Sequence, residues 1–90
     1  MATLRIPTPL RAYTGGKSDI TVTGATAGAA LAELTEQFPA LKPHLFKEDG
    51  DLRSFVNIFK GEDNVNDLQG LRTQVAEHDR LMIIPSIAGG

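Results

Sequence analysis

The chain has 90 residues, 41% hydrophobic and 22% charged, enough for one small core and too few for a second domain. It contains no cysteine, which removes disulfides, thiolate metal sites and any cysteine nucleophile. Nine basic against eleven acidic side chains give a formal charge of -2, which argues against a phosphate-neutralising nucleic-acid binder and for a protein or small-molecule partner.

The opening residues, from Met1 to Ile6, lack a basic segment followed by an apolar one, and no apolar run approaches a membrane span, so a cytoplasmic protein is expected. Residues 3–6 alternate polar and apolar, with Leu4 and Ile6 on one face, the period of a half-buried strand; Pro7 and Pro9 stop it. Residues 10–19, with Gly15 and Gly16, read as a long turn leading to a second short strand over 20–23, its Ile20 and Val22 inward. Thr26 then suits an N-cap, and Ala27, Ala30, Leu31, Leu34 and Phe38 recur at helical spacing until Pro39 ends the helix. Glu33 and Glu36 fall on its solvated side. Residues 40–46 form a second short helical turn, with Leu41, Leu45 and Phe46 tucked under the sheet. Residues 47–51 are a polar loop.

Strand character returns over 53–59, with Val56 and Ile58 on one face and Phe55, Asn57 and Phe59 on the other. Residues 61–64 carry turn chemistry, and 65–71 read as a short edge strand and a loop. The last strand, 80–85, is apolar on both faces through Leu81, Met82, Ile83 and Ile84, as a central strand requires. The order β-β-α-β-β predicts an α+β fold, a β-grasp sheet of four to five strands curled around one main helix, with other small α+β packings also compatible. Val56, Ile58, Leu81 and Ile83 are assigned to the core. The opposite face, with Phe59 and Met82 or Ile84, becomes a partner-binding surface, unless residues 41–46 cover it.

Catalytic constellations are sparse. His44 and His78 are the only histidines, and adjacent His78 and Asp79 diverge on any regular element, so a turn explains the pair better than a metal site. The run Thr14-Gly15-Gly16-Lys17-Ser18 ends like a phosphate loop, but Arg11 stands where that motif needs its first glycine, and a strand follows where it needs a helix. No nucleophile is paired with an orienting base, which argues against an autonomous enzyme.

The information lies in Ser86-Ile87-Ala88-Gly89-Gly90. Glycine has no Cβ, so a Gly-Gly end fits a narrow slot closed to other residues. The five residues past Pro85 reach on the order of 17 Å when extended, enough to deliver the Gly90 carboxylate into another protein's active site. The chain is thus divided into a domain over residues 1–85 and a flexible tail over 86–90.

Over nearly its full length the sequence resembles the ubiquitin-like sulfur carriers of the MoaD/ThiS family. It is most similar to the cysteine-biosynthesis branch, through Ile6-Pro7-Thr8 with Leu10-Arg11, Thr14-Gly15-Gly16, Phe55-Val56-Asn57-Ile58, Gly70-Leu71 with Thr73, and Ile84-Pro85 ending in Ala88-Gly89-Gly90. It departs from the pattern at Asn66, where an arginine is usual, and at His78-Asp79, where a Gly-Asp turn is usual. The resemblance implies that Gly90 is the point of sulfur attachment and that Ile87, Ala88, Gly89 and Gly90 enter the partner's active site, with Phe59, Met82 and Ile84 as the grip. An activating enzyme would use ATP and Mg²⁺ to adenylate the Gly90 carboxylate, and a sulfur donor would convert it to a thiocarboxylate. The acceptor would be a synthase, either of cysteine-synthase type with pyridoxal phosphate or the molybdopterin synthase large subunit, or else one of thiamine biosynthesis. In the cysteine branch a metallopeptidase would release the product, and the cofactors would belong to the partners. A protein modifier conjugated through Gly90 and a binding module with an inert tail are the alternatives.

Overall fold

A computed structural model describes residues 2–54 and 56–85. Five strands, β1 (Ala2–Arg5), β2 (Asp19–Val22), β3 (Val56–Lys60), β4 (Asp63–Asn64) and β5 (Arg80–Pro85), form one mixed sheet in the order β2-β1-β5-β3-β4. β1 and β5 run parallel at the centre, and every other pairing is antiparallel. The main helix, α1 (Ala27–Gln37), crosses one face, and a four-residue helix, α2 (Lys42–Leu45), follows a 3₁₀ turn over Pro39–Leu41. This is the β-grasp arrangement that the pattern predicts.

Alternation decides which face is wet. Along β5 Leu81 and Ile83 are buried while Arg80, Met82 and Ile84 point out, and along β3 Val56 and Ile58 are buried while Asn57 and Phe59 are half-exposed. These inward residues pack with Leu4, Ile6, Ile20 and Val22 against Ala27, Ala30, Leu31 and Leu34, the helical stripe at i, i+3, i+4 and i+7. Leu41 and Leu45 close the same side, so residues 40–46 lie under the sheet as expected and leave the opposite face uncovered.

The α1 start is fixed twice. Thr26 Oγ1 accepts from the Ala29 amide at 3.1 Å, as the sequence predicts. Glu33, expected to be only a solvated-face carboxylate, reaches back instead. Its Oε1 accepts from Thr23 N (2.8 Å), Thr23 Oγ1 (3.0 Å) and Gly24 N (3.1 Å), tying the β2 end to the second turn of the helix. Gly24 is needed where it stands, because a Cβ there would lie 2.5 Å from the Ala30 amide nitrogen.

The edge strand is displaced from its expected place. It is Asp63–Asn64, paired with Phe59 and Lys60, whereas Val65–Asp67 and Gly70–Arg72 are 3₁₀ turns. The Asn64 side chain accepts from the Asn66 amide at 2.9 Å, a local bond that closes a turn in place of a longer ladder, and buried Val65 anchors it. The turn expected over 61–64 therefore shrinks to Gly61 and Glu62. The third strand starts at Val56, not at residue 53, since the Val56 amide bonds back to the Arg53 carbonyl at 3.0 Å; Phe55 lies outside the described residues. In the long β1–β2 connection, Thr8–Thr14 winds into a 3₁₀ stretch that Gly15 ends at a φ of 66°. Among the described residues no helix is long and apolar enough to cross a membrane.

Candidate functional site

The end of the sheet where β5 runs out at Pro85 gathers the start of β3, through the Val56–Pro85 pair, and the end of β1, through the parallel Arg5–Met82 pair. The described residues therefore end on the central strand. Gly89 and Gly90, with Ile87 and Ala88, lie outside the described residues.

On the outer face Phe59 stands opposite Met82, and Asn57 opposite Ile84. Met82 is 39% and Ile84 38% exposed, while Phe59 is half-buried. The structure thus brings together the three residues expected to form the grip, on the side away from α1. Two basic side chains to which the sequence reading gave no part in the grip flank Met82 and Ile84. Arg5 projects outward beside Met82, and Arg11, whose Nε donates to the Ile6 carbonyl at 3.1 Å, borders the same depression next to Pro85. Arg5 was legible in principle, since Leu4 and Ile6 inward put it outward; Arg11 was not, because its position depends on the fold of the Thr8–Thr14 stretch.

The residues that suggested catalysis disperse. His44 is exposed and stacks on Tyr13, ring centroids 4.4 Å apart and planes 30° from parallel, which is packing between α2 and the Thr8–Thr14 stretch. His78 lies in a turn before β5, as expected. The neighbouring Asp79 carboxylate accepts from the Ala76 amide at 2.7 Å and lies 3.4 Å from Lys60 Nζ. The Ala76 amide, against the opposing effect of burial and with help from the Lys60 ammonium, holds its carboxyl below the usual aspartate range. This closes the turn. Thr14 Oγ1 sits within bonding distance of the Arg11 (3.1 Å) and Lys17 (2.8 Å) carbonyls, so the glycine run is a braced hairpin loop and not a phosphate cradle. Among the described residues no cluster of three His, Cys, Asp or Glu could hold a metal ion.

Comparison with known proteins agrees with this layout. The model of the ThiS family matches residues 4–90. The sulfur carrier protein CysO of Mycobacterium tuberculosis is 36% identical over 98% of this chain and 97% of its own length. In the crystal structure of the Amycolatopsis orientalis BexX/CysO complex, a chain superposes with a TM-score of 0.89 at 33% identity, each chain covered in full. The solution structure of small archaeal modifier protein 1 from Methanosarcina acetivorans gives a TM-score of 0.87 at 27% identity, over 99% of this chain and 95% of that one. The chain belongs to the ThiS family and is a sulfur carrier of the CysO kind, a co-substrate and not an enzyme.

Proposed function

We propose that Gly90 is the working group of this carrier and that residues 86–90 form the tail which carries it into partner active sites, with residues 1–85 as the domain that partners grip. The observation that carries this reading is the extent of the family match, which runs through Ala88-Gly89-Gly90 to residue 90. In this mechanism the Gly90 carboxylate attacks the α-phosphorus of ATP held with Mg²⁺ by an activating enzyme, pyrophosphate leaves, and an acyl adenylate results. A sulfur donor then displaces AMP and leaves a thiocarboxylate. That group is ionised at neutral pH, and its sulfur is a far better nucleophile than the oxygen it replaced. The absence of cysteine suits this role, since sulfur is then carried only at the terminus.

The similarity to CysO favours cysteine biosynthesis as the destination, ahead of molybdopterin or thiamine. The acceptor would then be a synthase of cysteine-synthase type, with pyridoxal phosphate supplying the electrophilic amino-acid substrate, and a metallopeptidase would release the product from the carrier. Ile87, Ala88 and Gly89 thread the tail, and Phe59, Met82 and Ile84 supply the apolar grip. Intact mass after incubation with ATP, sulfide and the activating enzyme tests the reading. A gain of about 16 Da, one oxygen exchanged for sulfur, supports it, and an unchanged mass overturns it. The likeness to small archaeal modifier protein 1 favours a second reading, conjugation to lysines through the same adenylate. A ladder of conjugates in cells, lost when Gly90 is removed, would mark that role.

A further inference from the structure

We propose that the groove at the root of the tail recognises an acidic side chain carried beside an apolar one on the protein that takes up the tail. This rests on the reading of Gly90 as the activated group. The groove holds about 300 Å³ between β1 with its following 3₁₀ stretch and β5, with Pro7, Met82, Ile84 and Pro85 as apolar wall and Arg5 and Arg11 as its cations.

Both guanidinium groups are open to a ligand. Among the described residues no hydrogen bond or ion pair engages the Arg5 side chain, although Asp19 stands opposite it in the β1–β2 register. Asp19 Oδ2 instead accepts from Ser18 Oγ at 3.3 Å. Arg11 spends only its Nε, on the Ile6 carbonyl, and that bond holds its planar fork at the rim with the terminal N–H groups uncommitted. Two such forks fit a carboxylate, and a guanidinium sheds water more readily than an ammonium on entering an interface. Beside them Met82 and Ile84 offer exposed apolar surface that only an apolar neighbour can desolvate favourably.

Tail length selects the occupant. Five residues past Pro85 span at most about 17 Å, so the body that holds Gly90 sits over this groove whenever the tail is engaged. A carboxylate on the mouth of that body meets cations in a carrier whose formal charge is -2, which fixes the docking orientation rather than general attraction.

The test measures ATP-dependent adenylation of the full chain by its activating enzyme, as pyrophosphate release, across a range of NaCl concentrations. Arg5→Glu is expected to raise the KM for the carrier about tenfold or more with kcat nearly unchanged, and to flatten the salt dependence, while Arg5→Lys, which keeps the charge without the fork, recovers only part of the loss. In parallel, ¹⁵N spectra of the chain alone are titrated with a glutamate-leucine peptide and with a lysine-leucine peptide. Only the first is expected to move the Arg5, Arg11, Met82 and Ile84 amides. Wild-type KM and salt slope in both Arg5→Glu and the double variant Arg5→Glu/Arg11→Gln would overturn the proposal. So would movement of those amides by an oligonucleotide, or by raising the concentration of the chain itself, in place of the acidic peptide. A chain that binds the acidic peptide yet is never adenylated leaves the groove standing and removes the activation reading. Normal adenylation with neutral arginine variants does the reverse.

Discussion

Glu33 joins three donors to one carboxylate oxygen, two of them backbone amides at the β2 end, where the chain must change from strand to helix. Glu33→Ala leaves the half-buried Gly24 amide without this acceptor, while water can reach the exposed Thr23 amide, and is expected to cost about 1 kcal/mol in chemical denaturation, whereas Glu36→Ala on the exposed side of α1 changes little. Gly24 fails under substitution for a different reason. A Cβ there meets the Ala30 nitrogen and the Ala29 carbonyl carbon at 2.5 and 2.6 Å, backbone that cannot swing aside, so Gly24→Ala forces α1 off the sheet at a cost of about 1 to 3 kcal/mol. Asp79 supplies the pH dependence. Its folded carboxyl is held below the ordinary value by the Ala76 amide and Lys60, so between the two values the unfolded chain binds more protons than the folded one. Its contribution is therefore fully present above the unfolded pKa and disappears as pH falls through the lowered one. Wild type is expected to melt above Asp79→Asn at neutral pH, and the gap in thermal midpoint should close below about pH 4.

At the level of elements, the periodic segments were readable because their side chains answer to one partner surface. The α1 stripe from Ala27 to Leu34, the inward pair Leu81 and Ile83, and the central place of β5 all follow from alternation or helical spacing. What escaped the sequence was set by bonds that carry no periodic signature. The Asn64 side chain curtails β4, the Arg53 carbonyl delays β3, and Glu33 reaches back from the second turn of α1 to the loop that precedes the helix. In the site, the exposure of Met82 and Ile84 was legible as surplus apolar surface, while the basic flank built by Arg5 and Arg11 needed the fold. The two faces of the sheet now predict opposite outcomes. Ile83→Ala opens the core and is expected to cost about 2 to 5 kcal/mol, enough to unfold much of a domain this small. Phe59→Ala on the half-buried outer face should cost less than the roughly 3 to 5 kcal/mol of a fully buried phenylalanine, yet weaken association with the activating enzyme markedly. A Phe59→Ala chain that unfolds outright would move the grip elsewhere.

Across the whole molecule, charge is biased along the sheet. Towards the Pro85 end Arg5, Arg11, Lys17, Lys42, Lys47 and Arg53 outnumber Asp19, Glu48, Asp49 and Asp51, whereas at the far end of β3 and β5 Glu62, Asp63, Asp67, Glu77 and Asp79 outnumber Lys60 and Arg80. A carrier polarised in this way approaches an acidic mouth with its exit strand leading, which raises the fraction of encounters that present the tail. The proposed division into core and tail has its own test. The buried apolar set among the described residues ends at Ile83, and the described β3–β5 ladder ends at the Val56–Pro85 pair. Deleting Gly90, or replacing Gly89 and Gly90 with alanine, is therefore expected to shift stability by less than about 0.5 kcal/mol while abolishing ATP-dependent activation. On the proposed reading the alanine pair fails by steric exclusion, since its two added methyl groups would have to enter the narrow slot that a Gly-Gly end fits. Thermal melts and pyrophosphate release on the same samples decide the matter. A lost melting transition would make the terminus part of the fold, and undiminished pyrophosphate release would take the chemistry away from Gly90.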